Sequence, residues 1–191
     1  ELFCLPSNRI RSVVCGDNYT VVLKTDGTVW VTGYNYFGQL GLGHTKDQAT
    51  PVQMEDVGED NAAVACGGSH TAVLKQDGTV WVAGYNGFGQ LGLEHTDNQT
   101  KPVQMEAVGG DVVAVACGSY HTAVLKTDGT VWVTGLNEYG QLGLGHKNPQ
   151  KEPVPMAAVG NDNKAVACGR SHTTVLKKDG TVWVTGRNYY G

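Results

Sequence analysis

Along the chain, short apolar runs alternate with glycine-rich and polar stretches. In segment 114–135 the runs read AVACG, HTAVLK and TVWVTG, with β-branched residues at every second position. Period-two alternation predicts half-buried β-strands. A fourth strand is predicted near PVPM at 153–156. The second and third runs are separated by Asp26-Gly27, Asp77-Gly78, Asp128-Gly129 and Asp179-Gly180, residue pairs that tolerate the positive φ of a tight hairpin turn. No apolar run keeps a 3.6-residue period, and 27 glycines break the segments too often for helices. The predicted fold class is all-β.

The pattern recurs. Trp30, Trp81, Trp132 and Trp183 stand 51 residues apart, and Cys15, Cys66, Cys117 and Cys168 keep the same step. A fixed period of this length, with four short antiparallel strands per unit, predicts a β-propeller of four-stranded antiparallel blades. A β-solenoid would use a shorter coil and no hairpin inside each coil. The chain is read as a single propeller domain, 1–191, with a longer propeller that contains it as the alternative. Its four repeat units run over about 1–51, 52–102, 103–153 and 154–191. Residues 1–3 align with Val52–Met54 and are expected to close the ring as the fourth strand of the last unit. Closure removes the exposed blade edges that otherwise invite aggregation.

The elements GxxHTxxL, DGxV and GxNxxGQLG carry a resemblance. CGGSHTAVLKQDG at 66–78 and GYNGFGQLG at 84–92 hold them together at a spacing that recurs. The chain resembles the repeat of the regulator of chromosome condensation over nearly its whole length. The resemblance implies one four-stranded blade per repeat, usually seven per ring, and protein binding as the shared property. Where that family has a Trp-Gly pair, this chain has Thr32-Gly33, Ala83-Gly84, Thr134-Gly135 and Thr185-Gly186. The light sensing of one member relies on Trp and Arg in GWRHT. Those places hold Gly68-Ser69, Ser119-Tyr120 and Arg170-Ser171, so that function is not carried over. Nucleotide exchange on a small GTPase uses a protruding β-wedge in the family, and no insertion breaks the 51-residue period to supply one.

Composition narrows the partners. With 14 Lys and Arg against 18 Asp and Glu, the net charge of −4 offers nothing to a phosphate backbone, so no nucleic acid is expected. No apolar run is long enough for a membrane-spanning helix, and no membrane association is expected. Five cysteines, an odd number without disulfide-type spacing, point toward an intracellular compartment. The sequons at Asn18 and Asn98 are compatible with secretion, and the compartment stays open.

Each unit contains Cys, His and Asp, as in Cys66, His70 and Asp77. Active sites are singular while this set recurs in every unit, so no catalytic residue, cofactor or enzymatic activity is assigned. The cysteines are read as small buried thiols. His70, His121 and His172 are read as hydrogen-bonded to a neighbouring loop, with Tyr19 in that place in the first unit. His44, His95 and His146 would lie on separate blades, too far apart for one metal ion.

Positions that differ between otherwise constant units mark the candidate binding surface. They are Asp17, Asn18, Ser69, Tyr120 and Arg170 after the first strand, and Tyr34, Tyr36, Tyr85, Leu136, Glu138, Arg187 and Tyr189 after the third. In an antiparallel meander these loops share one end of the blades. Phe37, Phe88, Tyr139 and Tyr190 keep an aromatic in one column and are read as core packing. The resulting expectation is a protein-protein interaction module. The alternatives are a multivalent carbohydrate-binding lectin with one pocket per blade and an exchange-factor-like regulator of a small GTPase. A homodimer or larger ring is a further possibility.

Overall fold

The computed structural model describes residues 9–189. Ring closure by residues 1–3, Cys4 and Tyr190 lie outside them. The described residues form three four-stranded sheets and one three-stranded sheet, each an antiparallel meander. The first holds β1 (Ile10–Cys15), β2 (Tyr19–Lys24), β3 (Val29–Gly33) and β4 (Gln48–Gln53). The second holds β5 (Asn61–Cys66), β6 (His70–Lys75), β7 (Val80–Gly84) and β8 (Gln99–Gln104). The third holds β9 (Val112–Cys117), β10 (His121–Lys126), β11 (Val131–Gly135) and β12 (Gln150–Pro155). The last holds β13 (Asn163–Cys168), β14 (His172–Lys177) and β15 (Val182–Gly186). This is the propeller architecture, with each sheet forming one blade; β4, β8 and β12 run across the unit boundaries expected at 51/52, 102/103 and 153/154, because each blade takes its fourth strand from the start of the next unit.

The Asp-Gly turns behave as their chemistry requires. Asp26 Oδ1 accepts from both the backbone N–H (3.0 Å) and the hydroxyl (2.7 Å) of Thr28. Gly27 takes φ 83°, which a side chain would strain. The same pattern holds Thr79 to Asp77, Thr130 to Asp128 and Thr181 to Asp179. Three short 3-10 turns, Glu55–Val57, Glu106–Val108 and Ala157–Val159, add to the predicted strands and carry the chain from one blade to the next. Each buries a single valine, too little for an apolar period to reveal.

The blades pack face to face, and each seam has the same composition. Val21, Leu23, Val29, Val31, Leu40 and Met54 of the first blade pack against Val64 and Val73 of the second. The second blade presents Ala72, Leu74, Val80, Val82, Leu91 and Met105 to Val112 and Val124 of the third. The third presents Ala123, Leu125, Val131, Val133, Leu142 and Met156 to Val175 of the fourth. An isolated blade leaves this face in water, so burial drives the stacking.

Hydrogen bonds cross each seam inside the apolar packing. The Thr122 hydroxyl donates to the Gln90 carbonyl of the preceding blade at 2.7 Å. That spends its one proton, so its lone pair accepts from His70 Nε2, also of the preceding blade, at 3.0 Å. Thr173 repeats this with Gln141 (2.7 Å) and His121 (3.0 Å). At the first seam Tyr19 takes the histidine's place and its hydroxyl donates to the His70 carbonyl. The partner of each buried histidine is thus a strand threonine of the next blade and not the neighbouring loop expected from sequence. The two residues are 52 apart, beyond the reach of a local reading.

Thr122→Val keeps the shape but leaves the Gln90 carbonyl and His70 Nε2 unpaired. It is expected to lower unfolding free energy by about 1–3 kcal/mol in urea titration. The exposed Thr127→Val, on the turn side, changes it by less than about 0.5 kcal/mol.

Candidate functional site

Strand register brings the variable loops together. Tyr19 pairs with Gly33, and Gly33 with Gln48, so the loops after the first and third strands leave the blade at the same level. The Asp-Gly turns lie at the opposite end. The long loop after the third strand is pinned by a buried asparagine. Asn35 donates to the carbonyls of His44 (2.9 Å) and Lys46 (3.1 Å), and its side-chain oxygen accepts from the Leu40 N–H (2.9 Å). Asn86 and Asn137 do the same in the next two blades. The loops therefore form a rigid platform.

On this platform the aromatics join into one stripe. Tyr34 and Tyr36 stack with ring centres 6.3 Å apart. Tyr36 meets Phe37 edge-on at 5.0 Å, and Phe37 meets Tyr85 of the next blade at 4.8 Å. Tyr85 continues to Tyr120 of the third blade at 6.0 Å, with Phe88 5.4 Å from Tyr120. These separations suit offset and edge-to-face contacts between rings. Tyr36 is 66% exposed, the outermost ring of the stripe. A second cluster forms where the Arg187 guanidinium lies over Tyr139 at 5.0 Å and Tyr189 at 5.4 Å.

The structure therefore gathers Tyr34, Tyr36, Tyr85 and Tyr120 into one surface, and Arg187 with Tyr189 into another. Asp17 and Arg170 lie apart from both, at the rim of a depression of about 300 Å³ on the common axis. Asn18 and Glu138 are exposed outside the stripe, and Ser69 and Leu136 are half-buried. Leu136 and Ser69 act through the backbone, the Leu136 N–H donating to Tyr120 and the Ser69 carbonyl accepting from Tyr85. Phe37 and Phe88 correct the sequence reading. They are half-buried bridges between the tyrosines, and Tyr139 is exposed. Their constancy marks ring-to-ring packing at the surface, a signal that constancy alone cannot separate from core packing.

Cys15, Cys66, Cys117 and Cys168 all line the axial depression as free thiols, Cys15 exposed and the other three half-buried. Burial pushes the Cys66 and Cys168 thiols up to about 12, so both stay protonated and poorly nucleophilic. Burial also lowers His70 to about 3 and His121 to about 4. Both are neutral structural groups. His44, His95 and His146 each accept from a backbone N–H two residues on, at 3.2 Å. Among the described residues no group of three or more His, Cys, Asp or Glu side chains is placed to hold a metal ion. No described helix is long and apolar enough to cross a membrane.

Comparison with known proteins places this geometry. The model of the RCC1-like domain matches residues 2–191. The Arabidopsis thaliana ultraviolet-B receptor UVR8 is 34% identical over 100% of this chain, which spans 44% of that protein. Human protein RCC2 is 32% identical over 98% of this chain, which spans 42% of it. Among solved structures, human WBSCR16 superposes with a TM-score of 0.85 at 27% identity, over 96% of this chain and 50% of its own. Yeast RCC1 (Prp20), solved bound to Kap60, gives 0.83 at 21% identity over 97% of this chain and 45% of its own, a likeness of fold. This chain thus spans half or less of each.

The buried histidines set a pH dependence. Their ordinary value is 6.5, so below that pH the unfolded chain binds protons that the folded chain excludes. Stability is fully present above about pH 6.5 and falls as pH drops toward 4, by about 1.4 kcal/mol per pH unit for each histidine. Urea midpoints measured from pH 8 to 4.5 should be flat and then decline. His121→Tyr, which installs the residue type found at position 19, should roughly halve the decline.

Proposed function

Because this chain belongs to the RCC1-like domain family, we propose that it is a non-catalytic protein-interaction module that engages its partner through the loop end of its blades. The observation that carries this reading is the aromatic stripe running from Tyr34 through Phe37 and Tyr85 to Tyr120 across three blades. Rigid, partly exposed tyrosines provide large contact area at low entropic cost and are enriched among binding hot spots. Yeast Prp20, a propeller of the same fold, is bound by Kap60, which supports protein as the ligand class.

The continuity of the stripe favours one extended partner surface over repeated small sites. A lectin of this architecture would carry one separate pocket per blade, whereas here the rings of neighbouring blades touch. The nearby charges divide the loop end. Asp17 and Asp47 belong to the first blade, while Arg170 and Arg187 belong to the fourth. A partner with basic and acidic segments in the matching order is favoured, and such complementarity acts mainly on association rate and orientation.

The test is affinity capture with identification of the captured protein by mass spectrometry, followed by titration calorimetry. Replacing Tyr34, Tyr85 and Tyr120 together by Ala should weaken binding by at least about tenfold while far-UV circular dichroism shows the strands retained. Gln76→Ala with Thr127→Ala, at the opposite end, should leave it unchanged. A partner whose affinity responds to the second pair and not to the tyrosines contradicts the proposal.

A further inference from the structure

The loop end of the first blade carries a combination of side chains that the second and third blades lack. Tyr34 and Tyr36 flank Asn35, with ring planes 11° apart and centres separated by 6.3 Å. Phe37 stands nearly perpendicular to both, at 79° and 89°. In the place of Tyr36 the second blade has Gly87 and the third Glu138. The Tyr85 hydroxyl lies over Gly87, in the space that a side chain there would need. Tyr36 fills the corresponding space in the first blade and presents its ring to solvent.

A carboxylate is fixed beside these rings. Asp47 Oδ1 accepts from the backbone N–H of Asn35, the residue between the two tyrosines, at 2.8 Å. In the second blade the Asn98 side-chain oxygen accepts from the Asn86 N–H in the same way at 2.9 Å, and the third blade has Pro149 at that position. The bond therefore needs only a side-chain oxygen, and the negative charge is particular to Asp47. Asp47 is exposed, and the ion pairs among the described residues engage Asp97, Asp56, Asp111 and Asp162 instead. Its charge faces solvent next to the exposed rings.

The chain itself shows which cation this arrangement of rings accepts. Arg187 occupies the position of Tyr34 and Tyr85 in the repeat, while Tyr139 and Tyr189 occupy those of Phe37 and Tyr36. Where Tyr85 meets Phe37 with ring centres 4.8 Å apart, the Arg187 guanidinium lies over Tyr139 at 5.0 Å, and it also lies over Tyr189 at 5.4 Å. A ring and a guanidinium are thus interchangeable here, as expected of two flat groups that stack on aromatic faces. In the first blade the rings contact one another at 5.0 to 6.4 Å. That spacing encloses no pocket for a tetrahedral trimethylammonium group and offers an open platform for a flat cation. The carboxylate at its edge adds an acceptor suited to forked N–H donors.

We propose that Tyr34, Tyr36 and Asp47 form a subsite for an arginine side chain of the protein partner, its guanidinium lying on the tyrosine rings with its N–H groups toward the Asp47 carboxylate. The inference rests on the reading of the loop end as the binding surface and names the group recognised there. Arginine is favoured over lysine because an ammonium is a compact, strongly hydrated charge without a flat face to stack. A cation over exposed rings and an exposed carboxylate each contribute modestly, so the subsite selects for charge and orients the partner while the rest of the stripe supplies contact area.

NMR titration of the purified chain tests this, with the peptide acetyl-Gly-Gly-Arg-Gly-Gly-amide as the probe and peptides carrying lysine or uncharged citrulline at the centre for comparison. Saturable shifts of the Tyr34 and Tyr36 ring resonances are expected, with the arginine peptide bound at least about fivefold tighter than citrulline and about twofold tighter than lysine. Tyr36→Ala should weaken the arginine peptide at least about threefold, whereas Tyr36→Phe, which keeps the ring, stays within about twofold of the unaltered chain. Asp47→Asn retains an acceptor for the Asn35 N–H, as Asn98 does for Asn86, and should weaken the peptide about two- to fivefold while reducing its salt dependence. Far-UV circular dichroism should be unchanged in all three variants. Equal binding of arginine and citrulline, shifts confined to Tyr120, or full affinity in both Tyr36→Ala and Asp47→Asn overturns the subsite. If affinity for the captured protein still depends on Tyr34, Tyr85 and Tyr120 when the arginine peptide fails, this inference alone falls and the binding role of the loop end stands.

Discussion

The structure depends on a hydrogen-bonded threonine at each blade seam. Thr122 and Thr173 each donate to a carbonyl of the preceding blade and accept from its buried histidine, while Thr71 donates to the Gln39 carbonyl. Each bond lies inside an apolar interface, where an unpaired donor or acceptor is costly. Valine packing supplies the drive to stack, and the polar pairs supply the register. A blade displaced along its neighbour would lose both.

That constraint acts on the strands and stops at their ends. Beyond Cys15, Gly33 and their equivalents, the chain is free to change side chains as long as the asparagine pins at Asn35, Asn86 and Asn137 hold the loop backbone. The variable residues sit on this pinned platform. Rigidity beneath and diversity above is the arrangement that protein-binding scaffolds use, because little ordering entropy remains to be lost on association. The tyrosines add to it by fixing one another through ring contacts across blade boundaries. The Arg187 pair of cation–π contacts closes the platform on the fourth blade.

Much of this was legible in the sequence, for identifiable reasons. The Asp-Gly pairs announced the hairpins, since Gly27 and its equivalents need a positive φ. The alternation in HTAVLK and TVWVTG announced the strands, and the recurring tryptophan and cysteine the blades. What escaped was non-local. The partner of His70 lies 52 residues away, so a local reading points to a loop instead. Phe37 and Phe88 do not vary, which reads as core packing, although they bridge the tyrosines of the surface. The 3-10 turns were too short to show a period.

The central claim is that the loop end, and not the turn end, is the working surface. Hydrogen-exchange mass spectrometry of the chain alone and saturated with its captured protein partner tests it most directly. The account predicts slowed exchange confined to segments 34–38, 85–89 and 119–121, with no change at 76–79 or 127–130. Protection at the Asp-Gly turns with unaltered exchange in the tyrosine-bearing loops would contradict it.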